Sequence, residues 1–349
     1  DVYKRQGPTG TIWPNAWTLD EATANNDGNG GFSLDGVFIN QYACSNELYQ
    51  SSGSTPMGLG VFCHEFSHCM GLPDMYDTNY SNTPTMGDWD LLASGSYNGP
   101  NGIGWCPAGW TSYERAYAGW LDIEELKAGD IITGMKDLEN YEGKAYAIYN
   151  DNHRDEFYLL ENHKNRGWDA YTPEGGLLVI HVDYDKALFD NNIVNSKGTF
   201  TPAQGYDGIY TNDHPRMAPF SKIRSVTNET YYYTYPIEAS RGVLDSLTNV
   251  SKPAATLYNA LADGSTLMGK PIYNIKKDAE TGDISFSFMT KDTGADTAVS
   301  EIPYTEDSFS AEDNVYDLTG KLVGKRTGSL KPGIYIIGNK DRTRKIIVR

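Results

Sequence analysis

No run of about 18 apolar residues occurs in the chain, which excludes a membrane-spanning helix. Basic residues are scarce: 29 Lys and Arg stand against 46 Asp and Glu, for a net charge of −17. That balance argues against a nucleic-acid partner, whose binders are usually basic. Cysteine is limited to Cys44, Cys63, Cys69 and Cys106, with no C-x-x-C pair, which disfavours a cysteine-rich zinc site. Free thiols and disulfides both remain open for these four, although Cys63 and Cys69 would face different sides of one helix. No leader pattern opens the chain, but it starts on Asp1 rather than Met, so this says nothing about compartment. No internal repeat is evident.

What the chain does have is His64-Glu65-Phe66-Ser67-His68, followed by Cys69-Met70-Gly71-Leu72-Pro73-Asp74. On a helix, residues four apart lie one above the other, so His64 and His68 can hold one metal ion from one side. Glu65 is then placed to reach a water at that metal without being a ligand. Gly71 is a natural helix stop and allows a sharp turn, and Pro73 keeps the helix from resuming. Asp74 thus becomes the third ligand. Two imidazoles, one carboxylate and one open position are the donor set of a catalytic zinc site. Such a site activates water, and Glu65 as general base would pass the proton to a leaving amine. The expected outcome is peptide-bond hydrolysis.

The surrounding segments give the motif a scaffold. Thr55-Pro56 reads as a helix start, with the helix running from Pro56 to about Met70 and Leu59, Phe62, Phe66 and Met70 as its apolar stripe. Val37–Tyr42 reads as a strand, and Thr111–Leu121 as a second helix. From Ile123 the texture turns to strands, at Ile131–Leu138, Ala145–Tyr149, Phe157–Glu161, Leu177–Tyr184 and Ile284–Phe288. Residues 190–270 are polar and weakly patterned. Asn26-Asp27-Gly28-Asn29-Gly30-Gly31 matches half of a calcium loop, but no bidentate Glu follows it. A plain turn is therefore the stronger reading and Ca2+ the weaker one. The Thr/Ser/Asp/Glu-rich stretch 291–313 reads as a linker. Beyond it, Asp317–Arg349 carries nine Lys and Arg against two Asp, reversing the sign of the rest.

His64 to Asp77, HEFSHCMGLPDMYD, resembles the immune inhibitor A family of secreted bacterial zinc peptidases, whose motif is H-E-x-x-H-x-x-G-x-P-D-x-Y-D. Further points of resemblance are Ile12-Trp13-Pro14, Trp89-Asp90-Leu91-Leu92-Ala93-Ser94-Gly95-Ser96, Gly119-Trp120-Leu121 and Gly175–Asp183, so that it covers roughly residues 12–290. It implies a metzincin-like α+β fold, zinc, protein or peptide substrates, and action outside the cell or at its surface. Carried over residue by residue, His64, His68 and Asp74 are ligands and Glu65 is the base. Leu92 stands at the Met-turn position, where its volume suits the floor beneath the metal. Tyr97 is a weak candidate for touching the reacting carbonyl, with packing as its stronger role. Only 63 residues precede His64, so the peptidase domain is expected to be N-terminally incomplete. The last module, with Val315–Val323, Gly333–Ile337 and Lys345–Val348, resembles the sorting domain of type IX secretion substrates, which implies the secretion machinery as a partner.

The expected organisation is therefore a catalytic domain over 1–122, its β-rich region over 123–290, a linker over 291–313 and a sorting β-module over 314–349. Glu114 is a rival third ligand, ranked below Asp74 because its surroundings lack the pattern of that peptidase class. His181 reads as a packed or hydrogen-bonded histidine, and His153, His163 and His214 have no motif context. The scattered Tyr and Trp residues read as core rather than as a glycan-binding face. Two alternatives to a secreted zinc endopeptidase are a surface-displayed binding or adhesion protein that works through its β-rich region, and a zinc-binding but inactive fragment.

Overall fold

The computed structural model describes residues 13–24, 29–49, 54–220, 222–224, 230–232, 234–239, 242–291, 314–317, 320–324, 333–338 and 343–348. Ile12, residues 26–28 of the 26–31 loop with its calcium reading, and the linker from residue 292 lie outside them. The fold is predominantly β with few, short helices. Contacts divide the chain into two compact units, Asp1–Thr293 and Gly294–Arg349.

The first unit opens with strand β1 (Asn15–Thr18), helix α1 (Leu19–Ala24), and strands β2 (Phe32–Leu34), β3 (Val37–Ile39) and β4 (Gln41–Cys44). The stretch expected as one strand over 37–42 breaks at Asn40, and β4 turns away from the β2–β3 hairpin to pair antiparallel with β1. Helix α2 (Gly60–Cys69) carries the motif and packs on β4 and β1. It begins four residues later than Thr55-Pro56 suggests. Pro56 bridges to Leu48, while the Gly58 and Gly60 amides donate to the carbonyls of Ile103 and Gly104. Tertiary hydrogen bonds thus hold this segment out of the helix. A Cβ on Gly60 would lie 1.9 Å from the Ser96 carbonyl oxygen, so only glycine fits this close approach.

The apolar stripe also faces the other way. Phe62 and Phe66 are about half exposed and stack on each other, and the buried face carries Gly60, Val61, His64 and Ser67. At about 100° per residue, positions 62 and 64 lie on nearly opposite sides of the helix, so burying the histidine face leaves the phenylalanine face outward. Helix α3 (Ser112–Tyr117) is shorter than the 111–121 expectation and gives way to a turn at Gly119, whose φ is +73°.

The centre of the unit is a sheet with the order β12-β9-β8-β7-β5, built from β5 (Ile123–Glu125), then, beyond β6 (Ile131–Met135), β7 (Ala145–Tyr149), β8 (Glu156–His163) and β9 (Gly176–Asp183). After helix α4 (Lys186–Asp190) and the pair β10 (Gly198–Phe200) and β11 (Tyr210–Asn212), β12 (Met217–Pro219) closes its edge. Side chains alternate across a strand, and here both faces are buried. Tyr146, Ile148, Tyr158, Leu160, Leu177 and Val179 enter one core, whereas Ala147, Leu159, Leu178, Ile180 and Val182 enter another. The second core also holds Leu72, Met75, Met86, Trp89, Leu91 and Leu92, so it runs continuously from the motif region into the β-rich region.

The described residues within 190–270 include short ribbons, β13 (Lys222–Arg224) with β14 (Thr230–Tyr232) and β15 (Ile237–Ala239) with β16 (Gly242–Leu244). Strands β17 (Ile272–Lys277) and β18 (Ile284–Phe288) join β6 in a three-stranded sheet that closes the first core. The second unit is a four-stranded antiparallel sheet, β20-β19-β21-β22, of β19 (Asn314–Tyr316), β20 (Leu322–Gly324), β21 (Gly333–Gly338) and β22 (Thr343–Val348). No helix among the described residues is long and apolar enough to cross a membrane.

Candidate metal centre

Helix α2 ends in a Schellman turn. The Leu72 amide donates to the Ser67 carbonyl, and the Gly71 amide, at φ +92°, donates to the carbonyl of His68. The turn reverses the chain, and Pro73 delivers Asp74 beside the two histidines. His64 Nε2 lies 3.2 Å from His68 Nε2 and 3.1 Å from Asp74 Oδ1, and His68 Nε2 lies 3.2 Å from that same oxygen. The edges of this triangle approach the roughly 3.3 Å ligand–ligand separation of tetrahedral zinc with bonds of about 2.0–2.1 Å. Among the described residues, these three form the one group of His, Cys, Asp and Glu that can hold a metal ion.

The hydrogen bonds behind the triangle select its donor atoms. His64 Nδ1 lies 2.8 Å from the Leu91 carbonyl and His68 Nδ1 lies 2.7 Å from the Leu72 carbonyl. A carbonyl oxygen only accepts, so each Nδ1 carries a proton, and in the neutral ring each Nε2 presents a lone pair. Asp74 Oδ2 accepts from Asn192 Nδ2 at 2.7 Å, and the Asp74 amide donates to Asn192 Oδ1 at 2.6 Å. With neither Nε2 protonated, Asp74 Oδ1 is buried with no hydrogen-bond donor. Two imidazole lone pairs and an orphaned carboxylate oxygen facing one point fit a divalent cation.

The electrostatics agree. Burial works against charge on both Asp74 and His68. For Asp74 the hydrogen bonds from the two imidazoles outweigh burial and hold the carboxyl well below the usual range. For His68 the hydrogen bond and charge of Asp74 outweigh it and lift the metal-free imidazole to about 9. Glu65 is partly buried beside the group and accepts from the Ala16 backbone. Burial raises its pKa, and the neighbouring histidines offset this only in part. A carboxyl raised in this way can exchange a proton closer to neutral pH than an ordinary one.

His64, Glu65, His68 and Asp74 all line one cleft of about 660 Å3, together with Trp13, Trp17, Tyr113, Tyr117 and Tyr184. Tyr97 does not line it. Leu92 is fully buried in one core with Met75 and Met86, and its carbonyl accepts the Met75 amide. Glu114 is fully buried at the start of α3, where it accepts from the Thr111 amide and hydroxyl, and it is not one of the clustered donors.

The other histidines sit in polar pairs. His181 meets Glu156 at 2.8 Å, His163 meets Glu161 at 2.7 Å, His214 meets Asp183 at 2.8 Å, and His153 lies 3.6 Å from Asp183. All four cysteines are unpaired thiols.

Two contributors escape a reading of the motif's ligands alone. Tyr76 hydrogen-bonds Asp74 and stacks on His64 with ring centroids 6.2 Å apart. Its signal was the tyrosine of the motif's own extension. Asn192 lies 118 positions beyond Asp74 and has no local signal.

Residues 7–120 match the catalytic domain of the immune inhibitor A peptidases, family M6. The match covers about a third of the chain and contains the whole triangle. The pre-pro-metalloprotease PrtV of Vibrio cholerae serotype O1, from strains M66-2 and ATCC 39315 / El Tor Inaba N16961, is 29% identical over 106 residues, which are 28% of this chain and 11% of that protein. The chain thus spans about a tenth of the length of the curated relatives it matches. No solved structure gives a significant match.

Proposed function

We propose that the chain is a zinc-dependent endopeptidase that acts on proteins or peptides outside the cell or at its surface. The observation that carries this reading is the convergence of His64 Nε2, His68 Nε2 and the orphaned Asp74 Oδ1 on one point of an open cleft, with Glu65 beside them. The match to a peptidase catalytic domain and the similarity to a metalloprotease support it. Zinc, when bound, supplies a Lewis acid and acidifies water toward neutrality. His64, His68 and Asp74 hold it, and Leu91, Leu72 and Asn192 keep those three oriented. Glu65 takes a proton from the attacking water as the new C–O bond forms. It returns that proton to the amide nitrogen as the C–N bond breaks. The terminal module would carry the secretion address of a type IX substrate.

Casein cleavage tests the proposal. A chelator should stop it, and Glu65→Gln should lower its rate by roughly 10²–10⁴-fold while zinc stays bound. Cleavage that survives Glu65→Gln or the chelator contradicts the assignment.

A further inference from the structure

Behind the triangle lies a second cluster that the peptidase reading does not use. Asp90 and Glu114 are both fully buried, and their carboxyl groups lie close enough to interact directly. Asp90 Oδ1 accepts the Leu92 amide at 2.8 Å. Glu114 Oε2 accepts the Thr111 amide and hydroxyl. That leaves Asp90 Oδ2 and Glu114 Oε1, one buried oxygen on each side, with no donor from any other group. One proton placed between these two atoms satisfies both. Without it, two carboxylates would face each other in the core with no ion-pair partner.

Among the described residues, no Lys, Arg or His forms an ion pair with either carboxyl. Glu161 is buried nearby, but its Oε2 takes the Ser112 amide at 2.6 Å and its Oε1 takes His163. His163 is itself engaged on its other side by Asp169, 3.1 Å away. The His163 imidazole is therefore already shared by two carboxylates. Burial, and then the charge of Glu114, drive Asp90 strongly toward its protonated form.

The pair connects to the ligands through one turn. Asp90 Oδ1 holds the Leu92 amide, and the Asp90 carbonyl accepts the Ala93 amide, closing the turn Asp90–Ala93. The Leu91 carbonyl in this turn accepts Nδ1–H of His64. The Leu92 carbonyl accepts the amide of Met75, next to Asp74. Two of the three ligands thus rest on a turn that Asp90 organises.

We propose that Asp90 and Glu114 share one buried proton, and that this pair positions the metal-binding imidazole of His64 through the Asp90–Ala93 turn. Asp90 and Glu114 are positioning residues. The proposal rests on the zinc reading of the triangle for its second half only.

Amide replacement reads the proton directly. In Asp90→Asn the new NH2 donates to Glu114, and in Glu114→Gln it donates to Asp90, so either single change keeps the central hydrogen bond. In the double variant two NH2 groups face each other. With the full 349-residue chain, each single variant should bind zinc within about threefold of the unchanged protein, measured by competition with a chromophoric chelator. The double should bind about 10–100-fold more weakly, the usual loss when an outer-shell partner of a metal ligand fails. Its zinc-free thermal midpoint should also fall further than the two single shifts added together.

Additive single and double effects overturn the shared proton, as does a tenfold loss of zinc affinity in either single variant. A lowered midpoint with unchanged zinc affinity in the double overturns the link to His64. Should the double fail to fold, infrared difference spectra at pH 8 decide the proton. A protonated-carboxyl C=O band must be present in the unchanged protein and absent from Asp90→Asn, and its absence from the former refutes the pair. If the unchanged chain binds no zinc, the metal reading fails and the link to His64 fails with it, while the midpoints still test the proton.

Discussion

His68 is held at about 9 in the metal-free site by the hydrogen bond and charge of Asp74, against the cost of burial. Its ordinary value is about 6.5. A folded-state value above the unfolded one gives stability that is complete below about 6.5 and disappears as pH rises through about 9. Chelator-stripped protein should therefore lose on the order of 3 kcal/mol across that window, the His68–Asp74 attraction counted once. Thermal unfolding against pH checks this, and a flat profile contradicts it. Zinc uptake at pH 7 should expel about one proton, because the ligand nitrogen must be free. Titration calorimetry in buffers of different ionisation enthalpy reads that number. The clustering of His64, His68 and Asp74 was legible in the sequence because a helical period and a short glycine turn place them by local geometry alone. Asn192 was not, because only the packing of a distant segment brings its amide to Asp74.

Helix α2 depends on how it stops. Gly71 sits at φ +92°, and a Cβ there would meet the Tyr117 hydroxyl at 2.6 Å. Gly71→Ala should destabilise the protein by about 1–2 kcal/mol from the left-handed backbone alone. It should also weaken zinc binding, because the same turn carries the Leu72 carbonyl that orients His68 and leads to Asp74. Denaturant unfolding and a zinc competition assay check the two effects. An unchanged midpoint would show that the turn is not under this constraint. Element by element, alternating apolar segments read well: Ala145–Tyr149 and Ile284–Phe288 form strands over those same residues. The start of α2 did not, since the signal at Thr55-Pro56 is local and the hydrogen bonds to Ile103 and Gly104 that override it are not. The phenylalanine face misled for a related reason. Apolar periodicity reports which residues share a face, not which face the rest of the chain covers.

At the scale of the whole molecule, the ligand triangle rests on a core shared with a five-stranded sheet whose two faces are both buried. The described residues named at the site all lie in the unit Asp1–Thr293. Residues 1–293 produced alone should therefore bind zinc with the stoichiometry and affinity of the full chain. A fragment that loses zinc would show that the terminal unit takes part in the site. The two-sided burial was hard to foresee, because β8 mixes polar and apolar residues. Glu156, Glu161 and His163 are buried there through ion pairs and hydrogen bonds rather than through apolarity.

The central claim is that His64, His68 and Asp74 are the ligands of one zinc ion. X-ray absorption at the zinc edge of the purified chain tests it most directly. The account predicts a nitrogen and oxygen shell at about 2.0–2.2 Å with the scattering signature of two imidazoles. A sulfur shell at about 2.3 Å would move the metal to a cysteine such as Cys69, which lines the same cleft. That result, or a chain that holds no zinc, would contradict the account.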